Sequence, residues 1–386
     1  MMSKACVTIL LVATFAAALP TATAAEQAPA PETEWVKLLA AVDSLDCPCL
    51  AATQDGGLVL ATGGYLVKLS AAGDEQWRRP HNAPGGPESM VALHNGGFLL
   101  LNQDSAWAGR HNDKGDLVAQ RTYQGEFTQL LSGMEIDNGH FVLCGRWNDD
   151  AWLLEVDSEL EPVWQQTYDA GAEELVVAIV PGPDGGYVVA CNSGEYSKFG
   201  TGPSQIWVFK CDAQGQMLAE YRTPGIMRYV GRRYLAQSDN HYYVCFARAQ
   251  GLNTDTWLVK LDGDLKEAWG RYLGTKALSA GTSTVVAAGN RVVIAGVQPA
   301  PASAEHDRVT GLLSLGPWAM RVDAEGTVVW EAHVPLPRGC YGFRLMDVAA
   351  TMDGCFLLGS STTPDDVAGE HAEALVLVKL RDKPAD

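Results

Sequence analysis

The chain has 386 residues, 47% of them hydrophobic, and carries 46 Asp and Glu against 28 Lys and Arg, a formal net charge of −18. An acidic surface of that kind repels phosphate backbones, so nucleic acid is excluded as the expected partner. No segment after the first 25 residues approaches the apolar length of a membrane-spanning helix.

The predicted elements begin with a leader. Lys4, the apolar run Val7 to Leu19 and the small residues Ala22-Thr23-Ala24-Ala25 read as a signal peptide over 1–25, which predicts a secreted or periplasmic protein. Residues 26–33 (EQAPAPET) are a Pro/Ala/Glu linker with nothing to bury. From residue 34 to 386 one pattern recurs. A polar turn precedes an apolar run in QDGGLVLA (54–61), NGGFLLL (95–101), DNGHFVLC (137–144) and PDGGYVVA (183–190), and again in DNHYYVC (239–245), GNRVVIAG (289–296) and MDGCFLLG (352–359). A second run follows each, mostly opening on an aromatic: YLVKL (65–69), AWAGR (106–110), AWLLEV (151–156), IWVFKC (206–211), TWLVKL (256–261), PWAMRV (317–322) and LVLVKL (375–380). A tight turn then leads to a third run ending near Trp77, Trp164, Trp269 or Trp330, with Ala119 and Ala219 in the equivalent places. A fourth, such as ELVVAIV (174–180) or RLMDVAA (344–350), precedes the next turn.

Short Val/Ile/Leu/aromatic runs bounded by Gly, Asp and Asn are strands. Four antiparallel strands recurring roughly 40–60 residues apart predict an all-β protein, a seven-bladed β-propeller in a single domain. Trp35 (EWVKLLA, 34–40) belongs to a closing strand with no preceding partners, while the last repeat ends before its closing strand. The N-terminal strand is therefore expected to complete the last blade, three strands plus one, removing exposed edges.

The turn D-x-x-G-x-x-x-W, as in DAEGTVVW (323–330) and loosely SAAGDEQW (70–77), resembles the tryptophan-docking turn of quinoprotein-like (PQQ-like) repeats in bacterial envelope propellers. The resemblance implies architecture. Quinoprotein dehydrogenases resembling this repeat usually have eight blades and adjacent cysteines under the cofactor; here seven repeats are counted, and Pro48 separates Cys47 from Cys49. No cofactor or metal is expected, with Ca2+ and a quinone left open.

Strand direction puts the DGG and D-x-x-G turns on one regular face. The opposite, variable face then holds insertions at 192–205, 247–255, 297–316 and 360–373, where binding residues concentrate on a rigid scaffold. Trp147, Tyr196 and Tyr341 are candidates there for stacking on a sugar or peptide, with loop anchoring as the competing role. Arg228, Arg232 and Arg233 could form a cationic collar or pair with inter-blade acids, and Arg344 and Asp347 near the closure carry the same ambiguity. The acidic loop 365–373 lacks the alternating spacing of a calcium loop and reads as solvated. His140 and His241 read as turn neighbours on the regular face.

Eight of the nine cysteines follow the leader, an even number in an oxidising compartment. Cys340 is expected to bridge to Cys47 (or Cys49) across the closure, while Cys144 and Cys245 read as buried packing thiols. No G-x-S-x-G, H-E-x-x-H or P-loop motif occurs. The expected function is that of a secreted, non-catalytic binding or scaffold propeller, probing a protein, peptide or glycan through its variable face as a monomer. The alternative is an enzyme at the channel mouth, either a metal-assisted, lactonase-like hydrolase or a quinone-dependent oxidoreductase, with Arg232, Arg344 and Asp347 converging.

Overall fold

A computed structural model describes residues 30–39, 48–62, 64–125, 127–194, 204–223, 234–250, 253–276, 284–299, 315–337, 340–364 and 371–383. The strands sort into seven four-stranded antiparallel sheets, each taking its strands in chain order from the channel outward except at the closure. This is the seven-bladed β-propeller. Blade 1 spans Cys49–Ala52, Leu58–Thr62, Tyr65–Leu69 and Glu75–Pro80. Blade 7 takes three strands from the end of the chain, Tyr341–Thr351, Gly354–Pro364 and His371–Arg381, and its outer strand, Glu32–Leu39, from the beginning. The closing pairs run from Glu32↔Arg381 to Leu39↔Leu375, so pairing starts two residues inside the segment read as linker.

Burial follows from the pleat. Second and third strands are covered on both faces by neighbouring blades and read as apolar runs, while outer strands alternate, as in Leu117–Thr122. The core is accordingly not one cluster. Seven apolar layers each draw on two adjacent blades, for example Leu60, Leu69, Phe356 and Leu377 between blades 1 and 7, and Leu101, Leu143, Trp152 and Leu160 between blades 2 and 3. Every interface around the ring has its own layer, the closure included.

The tight turn between third and outer strands locks each blade to the one before it. Its first residue, Asp157, Asp212, Asp262 or Asp323, accepts the backbone N–H groups two and four residues later at 2.8–3.0 Å, which is why Asp opens the turn. At the fourth position Gly115, Gly215 and Gly326 take φ of 82°, 81° and 77°. The outer-strand tryptophan of the preceding blade lies against each. A Cβ on Gly115 would come 2.7 Å from Trp77, on Gly215 3.0 Å from Trp164, and on Gly326 2.8 Å from Trp269. Trp269 Nε1 and Lys260 Nζ both donate to the Ala324 carbonyl, at 3.1 and 2.9 Å, and Trp35 Nε1 and Lys379 Nζ share the Ala71 carbonyl in the same way.

The two blades with alanine in place of tryptophan show how the device is replaced. Ala119 and Ala219 precede turns whose fourth residue is leucine, Leu160 and Leu265, with φ of 65° and 58°. Both leucines are buried and pack into the layers that Ala119 and Ala219 touch. Leucine in the left-handed region costs about 1–2 kcal/mol, and the side chain offsets this by filling the volume the indole occupies elsewhere.

A second device recurs at the start of the third strands. Trp107, Trp152, Trp207 and Trp318 donate Nε1 to an outer-strand side chain: Gln120, Gln165, Glu220 and Glu331, at 2.5–3.3 Å. In blade 5 the corresponding acceptor position is Gly270, and the buried Trp257 Nε1 has no partner.

Candidate functional site

The inner strands of all seven blades wall a central channel with a cavity of about 430 Å3. Its lining is mostly Ala, Val, Leu and Ile, as in Ala178, Val285 and Ala349, with Ser89, Ser132 and Gln237 among the polar exceptions. Among the described lining residues there are two carboxylates, Glu88 and Asp347, and no cation. Both have framework tasks. Asp347 is 5% exposed; its Oδ2 accepts the Leu50 amide at 2.9 Å and its Oδ1 the Val348 amide at 2.9 Å, tying the inner strand of blade 7 to that of blade 1 across the closure. Glu88 accepts the Gln103 amide at 3.1 Å.

Of the residues singled out from the sequence, Arg344 is exposed and pairs through its backbone with Ser360, whereas Asp347 is buried and pairs with Leu358. Trp147 is half-buried. It packs on Trp152 with ring centres 5.1 Å apart, and a Cβ on Gly125 would meet it at 2.9 Å, the environment of an anchor. Tyr341 pairs with Thr362 through its backbone, and its side chain lies outside what is described. Tyr196, Arg228, Arg232, Arg233 and Cys47 lie outside the described residues. So does most of the acidic loop 365–373. His140 Nδ1 meets Glu155 at 2.8 Å and His241 Nδ1 meets the Asp239 carbonyl, both beside the regular turns.

The expected closure disulfide is corrected in part. Cys340 is a buried thiol that forms no disulfide, and Cys49 is buried. Cys340 sits beside Ser361, whose hydroxyl serves as its hydrogen-bond partner, while Cys49 is directed into the layer between blades 1 and 2. Cys144 and Cys245 are fully buried packing thiols; burial pushes the Cys245 thiol up to about 12 and the Cys144 thiol higher still.

Sequence reasoning missed the most unusual polar feature. Asp150 opens the third strand of blade 3 (Asp150–Val156), Asp169 follows its outer strand (Pro162–Tyr168), and Glu174 lies at the start of the inner strand of blade 4 (Glu173–Pro181). The fold brings a carboxylate oxygen of each within 4.8 Å of the others, on the variable face. Glu174 is 0% exposed, Asp150 half-buried and Asp169 exposed. The Glu174 Oε1 accepts the Ala172 amide at 3.1 Å and the Ser193 hydroxyl at 3.0 Å, the Ala170 amide also favours the carboxylate, and Oε2 is buried without a hydrogen bond of ordinary geometry. Burial pushes the Glu174 carboxyl up, outweighing those bonds, and Asp169 adds to it; burial, then Asp169 and Asp149, push Asp150 up. The nearby Arg146 is committed elsewhere, to Asp149 at 2.6 Å and Glu173 at 3.4 Å. Only the D-D pair at 149–150 hinted at this in the sequence, because the three residues come from separate elements of two blades.

The variable face is also uneven. In blade 1 the hairpin between second and third strands ends at Thr62↔Tyr65, one pair beyond the inner strand's partner Ala61. In blade 5 it runs on to Gln250↔Asn253, past Val244, the partner of Leu235 at the start of the described inner strand. Blade 6 continues to Pro299↔Leu315 and blade 7 to Pro364↔His371. The described parts of the insertions are therefore paired strand, and among the described residues the second strands of blades 5, 6 and 7 are the longest.

No family model matches the chain, and no curated protein matches it by sequence. Solved structures do resemble it. The Pan2 WD40 domain of Neurospora crassa aligns with a TM-score of 0.57 at 12% identity over 92% of this chain and 96% of that one. A streptogramin B lyase aligns at 0.54 with 11% identity, over 90% and 98%. A virginiamycin B lyase from Staphylococcus aureus, catalytically inactive and with quinupristin, aligns at 0.53 with 9% identity, over 90% and 99%. At such identities the likeness concerns the fold: these are β-propellers, and propellers host unrelated functions.

Proposed function

We propose that this chain is a secreted or periplasmic, non-catalytic binding propeller that engages a protein, peptide or glycan on the side of its variable face formed by blades 5 to 7. The observation that carries this reading is the set of extended hairpins of blades 5 to 7, the longest among the described residues, while the opposite face keeps short, regular turns. A wall of paired strands on a rigid ring offers a broad concave surface whose ordering cost is already met in the free protein. The leader at 1–25 would direct export, and the docking turns are consistent with blades of quinoprotein-like type. The channel fits a framework role, since its two described carboxylates each hold backbone amides.

The test uses a variant in which the blade 5 hairpin is cut back so that Phe246 joins its partner Trp257 through an Asn-Gly turn. The purified mature protein is screened on peptide and glycan arrays. The reading expects any specific ligand to lose at least tenfold in affinity in this variant, while D74N on the regular face leaves it unchanged. Undiminished binding by the shortened variant, or conversion of the bound ligand, would overturn it.

A further inference from the structure

We propose that Asp150, Asp169 and Glu174 form a calcium site that bridges blades 3 and 4 on the variable face. Three observations lead there. First, the donor set is all oxygen, which selects a hard cation over zinc or copper. Second, two oxygens bound to one ion at about 2.4 Å can lie no farther apart than about 4.8 Å, the separation within which these three carboxylates fall. Ca2+ accepts such oxygens in a flexible geometry, whereas Mg2+ demands a near-ideal octahedron at about 2.1 Å and dehydrates reluctantly. Third, and independent of the clustering, Glu174 is 0% exposed and its Oε2 is without a hydrogen-bond partner. A buried carboxylate oxygen without a partner, on a residue whose carboxylate lies among two others, is a donor lacking its counter-charge.

The surroundings fit a site rather than an ion pair. Arg146 is taken by Asp149 and Glu173, and no ion pair among the described residues joins a Lys or Arg to the three carboxylates. Ser193 donates to Glu174 Oε1 at 3.0 Å, the usual task of a group behind a metal ligand. Asp169 accepts the Gly171 amide at 2.6 Å, which fixes the loop that carries it. The exposed side at Asp169 leaves room for the waters that complete a coordination number of six to eight. The consequence is mechanical: the ion would fasten the loop between blades 3 and 4 to the third strand of blade 3, close to Trp147, which pairs with Asp150. This inference does not depend on the binding reading above.

Trp147 and Trp152 make the test direct, because tryptophan sensitises Tb3+ luminescence and Tb3+ substitutes for Ca2+. The chelator-treated mature protein should show Tb3+ emission on tryptophan excitation, saturating at one equivalent and displaced by Ca2+ with a Kd on the order of 10⁻⁴–10⁻³ M. CaCl2 should raise the Tm more than MgCl2 or NaCl at matched ionic strength. D150N and D169N, both at solvent-accessible positions, should each weaken Ca2+ binding at least tenfold, whereas D74N should leave it unchanged. E174Q should raise the Tm in chelator, by removing a buried charge, and abolish the Ca2+-dependent rise. Tb3+ emission identical in wild type and D150N, or equal stabilisation by CaCl2 and MgCl2, would overturn the assignment.

Discussion

Exchanging the docking device of blade 3 for that of its neighbours should expose the coupling between Ala119 and Leu160. Leu160→Gly alone removes a fully buried side chain from the layer between blades 2 and 3. Large-to-small changes at such sites cost about 2–5 kcal/mol, and relief of the 65° φ returns about 1–2 kcal/mol, for a net loss of roughly 2 kcal/mol. Ala119→Trp alone forces an indole into volume that Leu160 already fills and should cost about 1–3 kcal/mol. Together the substitutions recreate the Trp77–Gly115 pairing seen one blade earlier, where the ring lies 2.7 Å from the position a Cβ would take. The double variant should therefore be within about 1 kcal/mol of the parent, a coupling of roughly 3 kcal/mol in its favour. Urea unfolding of all four proteins, followed by tryptophan fluorescence and by circular dichroism, supplies the cycle. Single effects that add to within about 0.5 kcal/mol would refute the idea that tryptophan and leucine alternate in one space.

The remaining expectations draw on other interfaces. Gly270→Gln should supply the buried Trp257 Nε1 with the acceptor its counterparts have, in a position where a Cβ meets nothing closer than the Glu267 carboxylate at 3.1 Å; a gain of about 1–2 kcal/mol in urea unfolding is expected, and a loss would remove the argument. His81 and His111 are buried between blades 1 and 2; burial, then the neighbouring His111, lowers the His81 pKa from 6.5 to about 4, and burial lowers that of His111 as well. The unfolded chain then takes up protons first, so stability is full above pH 6.5 and falls as the pH drops toward 4, by on the order of 3 kcal/mol from His81. H81N, which can keep an acceptor for the Ala83 amide, should flatten that slope in denaturation measured from pH 7 to 4.5; an unchanged slope contradicts the assignment. Deleting residues 30–39 should leave the strand His371–Arg381 as an open edge and strip Trp35 from Phe356 and Glu34 from Lys379, giving aggregation or loss of cooperative unfolding; a soluble, cooperatively folded variant would dismiss the closure as unimportant. Thiol titration of the mature protein in denaturant without reductant should find at least seven reactive cysteines, against six if Cys340 were bridged.

Local order along the chain was legible because it depends on neighbours in sequence. Short apolar runs, Asp at the head of four of the tight turns and Gly at many positions of positive φ mark strands, turns and blade number, and the orphan strand around Trp35 foretold closure of the ring. Even the alternation of Trp with Ala119 and Ala219 was visible, although its partners Leu160 and Leu265 were not recognised. They belong to the next blade, and only packing shows that indole and leucine compete for one volume.

What the tertiary structure decided lies between blades. Asp150, Asp169 and Glu174 come from three elements and meet only when blades 3 and 4 pack, so no spacing in the chain announces them. Asp347 was noticed as an acid near the closure, and the structure makes it a strap for the Leu50 amide. Cys340, paired on paper with the start of blade 1, is a buried thiol beside Ser361. A repeat encodes its own hydrogen-bond ladder and turn chemistry, while contacts across the ring depend on the few residues that break the repeat. The blades follow from sequence periodicity; the carboxylate cluster follows from how the blades are set side by side.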